Sequence, residues 1–395
     1  MNKLALALIT SFSLGHLLVQ SNNAFAQTVG SSGTSLLGQD STNRVITTAV
    51  PFLTISPDAR AAGMGDTGVA TSADVNSAHW NSAKLAFIDK GYGVSASYTP
   101  WLGKIINDMY VFYLSGFYKI NRVQTVAASM KYFNLGEVQF NQGPDPADLL
   151  GRYNPREFAF DVTYSRLLTE HMSIGGALRY IHSNLTGYLS TNSFDARPAN
   201  SVAVDFGFYY TKPMVWKNSN LAFGATMTNL GGKISYSDAN NTDFLPTNLR
   251  IGTAYKMELD PLNSFTFALD FNKLMVPSPA PGSKTKTMLS GVLGSFSDAK
   301  GGFSEEIREI TTSFGTEYWY NNTFAARLGY FYEARDKGNR QYLTAGVGLR
   351  YNKLGLDVAY LVPTNGRENA LAETLRFTIM MLFEKKVKED ESVAN

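Results

Sequence analysis

The sequence predicts an all-β protein: a transmembrane antiparallel β-barrel of about fourteen strands with an N-terminal hatch. Three observations predict it. From Gly91 to Phe383 the chain falls into segments of about ten residues with period-two alternation, the length a tilted strand needs to cross a bilayer. Large apolar residues occupy one face of these segments, while Gly, Ala and single charges occupy the other. The connections alternate between short turns and long loops, which is how outer-membrane barrels are built.

Composition narrows the function. The 395 residues carry a net charge of +2 and are 17% charged, which argues against a nucleic-acid partner, since that needs a basic patch. Cysteine is absent, so disulfides and thiolate metal sites are excluded. Tyr (21) and Phe (25) are abundant enough to furnish aromatic girdles.

Residues 1–26 read as a secretory signal peptide. Lys3 supplies the positive start, Leu4 to Leu18 the apolar region, and Ala24-Phe25-Ala26 the cleavage site. The mature chain is then expected to start at Gln27, with residues 27–90 forming a Ser/Thr/Gly-rich lead-in and the hatch. The apolar run is too short and interrupted for a membrane anchor, and no uncharged apolar run of about 18 residues follows it. Residues 91–383 are the barrel, and 384–395 a charged periplasmic tail.

The hatch departs from alternation. Between Phe52 and Ala86 small residues dominate, among them Gly63, Gly65 and Gly68, which predicts a compact, irregular plug with short helical turns. Gly63-Met64-Gly65-Asp66-Thr67-Gly68 matches G-x-G-x-x-G. A dinucleotide site would need a βαβ unit around it, and none is visible, so tight hatch turns explain these glycines better. Asp58, Arg60 and Asp66 are expected to pair with lumen charges, for which Arg179, Arg250, Arg327, Arg350, Arg376, Asp161, Asp205, Asp270 and Asp357 are candidates. Trp80, beside Asn81, is expected to pack within the hatch.

Strands are expected to begin near Gly91, Tyr110, Arg122, Glu157, Met172, Ala199, Asn220, Pro246, Ser264, Glu306, Thr323, Arg340, Leu354 and Ala372. With short turns in the periplasm, both termini lie there and the long loops lie outside the cell. Trp101, Trp216 and Trp319 fall near strand ends, where anchoring at the membrane interface is the default. The loop Met275–Ser304 is unusually apolar and opens with a proline-rich run. Met275, Val276, Pro277, Pro279, Met288, Leu289, Val292, Leu293 and Phe296 form a candidate partner-binding surface, with a lid folded over the barrel mouth as the equal alternative. His79, His171 and His182 form no metal-ligand cluster, no nucleophile elbow or triad spacing is present, and no cofactor is expected.

Two pieces carry a resemblance: Pro57-Asp58-Ala59-Arg60-Ala61-Ala62-Gly63-Met64-Gly65 and Trp80-Asn81-Ser82-Ala83-Lys84-Leu85. The stretch Phe52–Ala86 resembles the N-terminal signature of the PorV/PorQ family of Bacteroidota outer-membrane proteins, within the broader FadL-like group of hatch-plugged barrels. FadL-like hatches often read Asn-Pro-Ala where this chain has Asn81-Ser82-Ala83. Within the family the likeness is to PorV, the member associated with type IX protein secretion. The resemblance implies a non-catalytic protein of the outer membrane, surrounded by lipid. It implies as partners a large outer-membrane translocon, the C-terminal domains of secreted cargo, and a surface attachment complex containing a PorU-type sortase. A FadL-like transporter of hydrophobic small molecules is the competing expectation, because fold alone does not decide function. A greasy channel with a lateral wall opening would favour transport, and a sealed lumen with an exposed loop would favour partner binding.

Overall fold

The computed structural model describes residues 44–101, 108–141, 149–185, 187, 189–191, 194–237, 242–280, 283–365 and 374–384. The expected signal peptide, most of the lead-in and nearly all of the charged tail lie outside these residues.

Fourteen antiparallel strands close into a barrel. In chain order they are β1 (Tyr92–Pro100), β2 (Tyr110–Lys119), β3 (Gln124–Asn134), β6 (Arg156–Thr169), β7 (Met172–Asn184), β10 (Ala199–Met214), β11 (Ser219–Gly231), β12 (Asn248–Glu258), β13 (Asn263–Leu274), β14 (Ile310–Tyr320), β15 (Phe324–Tyr332), β16 (Gln341–Tyr351), β17 (Leu354–Pro363) and β18 (Leu375–Phe383). Two small hairpins stand in the long connections: β4 (Val138–Asn141) with β5 (Leu149–Tyr153), and β8 (Leu189–Thr191) with β9 (Phe194–Ala196). The seam joins β1 to β18, from Tyr92 opposite Phe383 to Tyr98 opposite Phe377. Closure leaves no unpaired sheet edge, which a lipid environment would not satisfy. Among the described residues no helix is long and apolar enough to span a membrane, so the crossing elements are the strands.

The alternation has a direct structural meaning. Outward residues such as Val162, Leu178, Phe206, Ile251, Leu328, Val347 and Ile379 are exposed. Inward residues of the same strands, such as Thr163, Ala177, Arg327, Gly346 and Thr378, are buried. A water-soluble sandwich would do the reverse, so the outer surface is an apolar band for lipid. Aromatic pairs flank it, with Tyr92 stacked on Phe383 at 4.8 Å near one rim and Tyr98 on Tyr110 at 5.6 Å near the other.

Most strand starts fall within two residues of expectation. The exceptions are β14, which begins at Ile310 because residues 303–308 form a helix, and β18, which begins at Leu375. The tryptophans divide. Trp216 is exposed in a short turn. Trp101 instead packs edge-on to Phe133 beside the inner cluster of Phe52 and Val111. Trp319 faces the guanidinium groups of Arg327 and Arg350, at 5.5 and 5.3 Å. Both are therefore held by contacts inside the barrel, which outweigh an interfacial role.

The hatch descends through the lumen in short turns. These are a 3-10 turn at Pro51–Thr54, α1 (Ala59–Ala62), α2 (Ser77–Trp80) and a 3-10 turn at Ser82–Phe87. Its first described residues meet the long connections. The Arg44 N–H bonds the Asp336 carbonyl, and the Ala49 N–H bonds the Phe244 carbonyl, both in long connections. The described chain thus begins at the long-loop rim, and both termini lie outside the described residues. It leaves at the opposite rim, where the Gly91 N–H bonds the Phe383 carbonyl.

Candidate functional site

The barrel wall is shaped to receive the hatch. A Cβ on Gly329 would lie 2.1 Å from the Gly65 nitrogen, and one on Gly224 would lie 2.4 Å from the Val69 oxygen. Backbone therefore rests directly on backbone, which only glycine permits. Gly65 is itself in the left-handed region, at φ 69°.

Polar groups then lock the two parts together. The Arg60 Nε and Nη2 donate to the two carboxylate oxygens of Glu317 at 2.9 and 2.8 Å, a fork-on-fork pair. The Arg60 Nη1 donates to Asp74 at 2.9 Å. Glu317 also accepts from Arg327 at 2.7 Å, Arg327 bridges on to Asp357, and Arg350 completes the chain. The Gly68 and Val69 N–H groups donate to Asp270 at 2.7 and 3.0 Å. Asp66 accepts from Tyr342 at 2.6 Å and from Arg376 at 3.3 Å. Asp58 caps α1 through the Ala61 N–H and accepts from the Trp80 indole at 2.6 Å. The Asn81 amide donates to the Val69 and Phe208 carbonyls, both at 3.0 Å.

Of the hatch residues singled out from sequence, Arg60 and Asp66 meet wall charges, while Asp58 stays within the hatch. Arg179 pairs with Asp161 and Asp205 along the wall. Glu317, Asp74 and Tyr342 were missed. Glu317 sits on the inward face with Ser313 and Gly315, so period-two counting from Gly315 would have found it. Tyr342 shares the inward face of its strand with Gly346 and Gly348 and carries the same signal, while Asp74 in the hatch carries none.

Above the hatch lies a cavity of about 450 Å³, lined by Val45, Ile46, Ser56, Asp66, Trp80, Asn248, Arg250, Leu274, Glu309, Glu333, Lys337, Arg340 and Tyr342, among others. Most of its charges are neutralised in place, Glu333 by Arg340 and Glu309 by Lys273 and Lys337. Its lining mixes these paired charges with apolar side chains such as Val45, Ile46, Leu274 and Phe331. Among the described residues, no three His, Asp or Glu side chains converge as a metal site.

The connection between β13 and β14 forms the third feature. It holds α3 (Met288–Gly294) and α4 (Phe303–Arg308). Thr287 caps α3 by accepting from the Ser290 N–H. A Cβ on Gly291 would meet the Phe244 ring at 2.6 Å, so α3 lies tightly on the neighbouring loop. The candidate binding residues divide between two roles. Met275, Val276, Pro277 and Val292 are buried, and Met288 is half-buried. Pro279 and Phe296 are exposed, and Leu289 and Leu293, one turn apart on α3, are 63% and 72% exposed. Phe303 and Ile307 repeat that spacing on α4 and are also exposed.

Below these helices an ionic cluster pins the connection down. Glu305 accepts from Lys337 at 2.7 Å and from Arg44 at 2.5 Å. Burial pushes its carboxyl up, but hydrogen bonds from Lys337, the Gly301 N–H and Arg44 outweigh that and hold it at about 2. Burial also pushes Glu309 up, yet bonds from Lys273, Lys337 and Ser278 keep it below its ordinary value. Burial pushes Lys337 down, and its bonds to those two glutamates raise it overall.

Comparison with known proteins agrees with this architecture. The Ralstonia pickettii toluene transporter TbuX superposes with a TM-score of 0.50 at 13% identity, covering 84% of this chain and 98% of its own. The Pseudomonas putida toluene transporter TodX does so with a TM-score of 0.50 at 10% identity, covering 84% and 99%. At such identities the likeness shows a shared fold alone, the FadL-like barrel. No curated protein matches the sequence. Residues 38–281, more than half of the 395, match the family described as "Type IX secretion system protein PorV". With that match, the outward apolar band and the closed fourteen-stranded ring, the chain belongs to the PorV family of outer-membrane proteins of type IX secretion.

Proposed function

We propose that this protein is a non-catalytic adaptor of type IX secretion. It binds the large outer-membrane translocon and the C-terminal domains of exported cargo, and passes cargo to the attachment complex with its PorU-type sortase. The observation that carries this reading is the outer connection. α3 buries Gly291 and Val292 and leaves Leu289 and Leu293 outside. Such exposed apolar surface on a pinned loop suits recognition of another protein.

The lumen supports the same reading over transport. The hatch is bonded to the wall at Glu317, Asp270 and Phe208. The strand ladder is continuous around the ring, with register shifts only at Val204/Phe206 and Leu167/Thr169. TbuX and TodX are described as toluene transporters, and that description concerns those proteins.

The test is affinity capture of the tagged, detergent-extracted protein from its host. A very large translocon and cargo C-terminal domains should be retained with it. Their absence, together with protein-dependent uptake of hydrophobic compounds, would replace the adaptor reading with transport.

A further inference from the structure

Arg250 differs from the other buried arginines of the lumen. It is 7% exposed, lines the cavity above the hatch and forms no ion pair among the described residues. Its Nε and Nη1 have no hydrogen-bond partner, although both are donors. One face of its guanidinium lies over the Trp80 ring at 5.1 Å, which fixes its plane. By contrast Arg60, Arg179 and Arg327 each hold a carboxylate. A buried guanidinium without an acceptor is costly, so such a group marks a place where an acceptor is received.

Two neighbours define what kind. Asn248 stands two residues before Arg250 on β12, on the same inward face, and its Oδ1 is a buried acceptor without a donor. Ser56 of the hatch also lines the cavity, and its hydroxyl is buried without a partner. The site therefore lacks an anion at Arg250 and a donor at Asn248. The other charges of the lining weigh against a dianion: Asp66, Glu309 and Glu333 already take up Arg376, Lys273, Lys337 and Arg340, which leaves Arg250 as the available cation of the lining.

We infer that the cavity binds a small hydroxylated carboxylate of sugar-acid type. Its carboxylate meets Arg250, and its hydroxyls satisfy Asn248 and Ser56. The volume of about 450 Å³ admits a molecule of that size. A purely apolar acid would leave Asn248 and Ser56 unsatisfied, and a neutral sugar would leave Arg250 so.

The test is calorimetric titration of the full-length protein, in a neutral detergent, with glucuronate, glucose and hexanoate. Glucuronate should bind at least tenfold more tightly than either of the others. Arg250→Gln should remove that preference, and Arg250→Lys should restore part of it. If the Gln variant does not fold, the wild-type comparison decides alone. No binding of glucuronate, or equal binding of all three, overturns the inference and leaves a merely hydrated chamber. Tighter binding of hexanoate overturns it in favour of an apolar ligand.

Discussion

Arg60 in the hatch and Glu317 in the barrel wall, 257 residues apart in sequence, form a buried two-pronged ion pair at 2.9 and 2.8 Å. Removing Arg60 leaves buried Glu317 with Arg327 alone and takes the partner from Asp74. Arg60→Ala should therefore cost about 3–5 kcal/mol. The double change Arg60→Met, Glu317→Leu should cost less than the single one, because the remaining cluster of Asp74, Asp357, Arg327 and Arg350 then carries no net charge. The temperature at which the heat-modifiable gel band converts to the unfolded form reads both. An unchanged midpoint for Arg60→Ala would show that the pair does not hold the hatch.

Gly329→Ala should lower folded yield sharply. Its Cβ would stand 2.1 Å from hatch backbone, and overpacking of this kind costs about 1–3 kcal/mol or more. Gly65→Val should be at least as harmful, since φ 69° strains any β-branched residue. Gly116→Ala is the control, with nothing nearer than 3.5 Å. Equal yields for all three variants would mean that the hatch can move away from the wall.

Acid should loosen the outer connection before the barrel. Glu305 has its carboxyl lowered from 4.5 to about 2, so its stabilisation is complete above pH 4.5 and is lost as pH falls towards 2. Glu309 shifts in the same direction. Lys337 is raised, so its share is complete below its ordinary 10.5 and is lost only above that. Amide exchange across residues 299–309 and 333–340 should accelerate between pH 4.5 and 2, after correction for the intrinsic rate. Protection that stays flat through this window would exclude the cluster as the fastener.

Leu289→Asp with Leu293→Asp should leave the barrel folded, since both side chains are exposed. Secretion or surface attachment of cargo should nonetheless fall at least tenfold. Normal secretion from this variant would move the binding surface elsewhere on the protein.

Export should remove residues 1–26, and the mature protein should begin at Gln27 and fractionate with the outer membrane. N-terminal sequencing of the membrane fraction checks this. A chain retaining Lys3 at its start would refute the cleavage site.

The barrel was legible because its rule is local. Period two decides which residues face lipid, and Leu178 or Val347 reads the same whatever its neighbours do. The hatch was legible as a break in that rule, and its glycines as places of close approach. Its partners were legible only as a pool: period two puts Asp270, Arg376 and Glu317 on the inward face, but which of them meets which hatch residue depends on how the ring brings distant strands around it, and no spacing along the chain encodes that. The isolation of Arg250 was equally hidden, since it shares its pattern with Arg327, which is fully paired. The outer loop was ambiguous for another reason. Its apolar residues split by helix face, with Val292 turned in and Leu293 turned out, and composition does not separate them.

The path of the hatch bears on the order of events during biogenesis. Residues 44–90 are made before β1, yet they run inside a ring whose last join is β1 to β18. Arg44 ends up at the rim opposite the one where β1 begins. The plug therefore cannot be threaded into a finished cylinder from below without dragging Arg44 past the ionic bonds that later hold it. An order in which the wall curls around the plug and the seam shuts last avoids that passage. In such an order the hatch would serve as a mandrel, its backbone N–H groups at Gly68, Gly65 and Ala59 offered to Asp270, Thr344 and Thr378. A bulky domain fused directly ahead of Arg44 would sit at the far rim when the ring closes, so assembly machinery would have to carry it across the membrane inside the unfinished barrel.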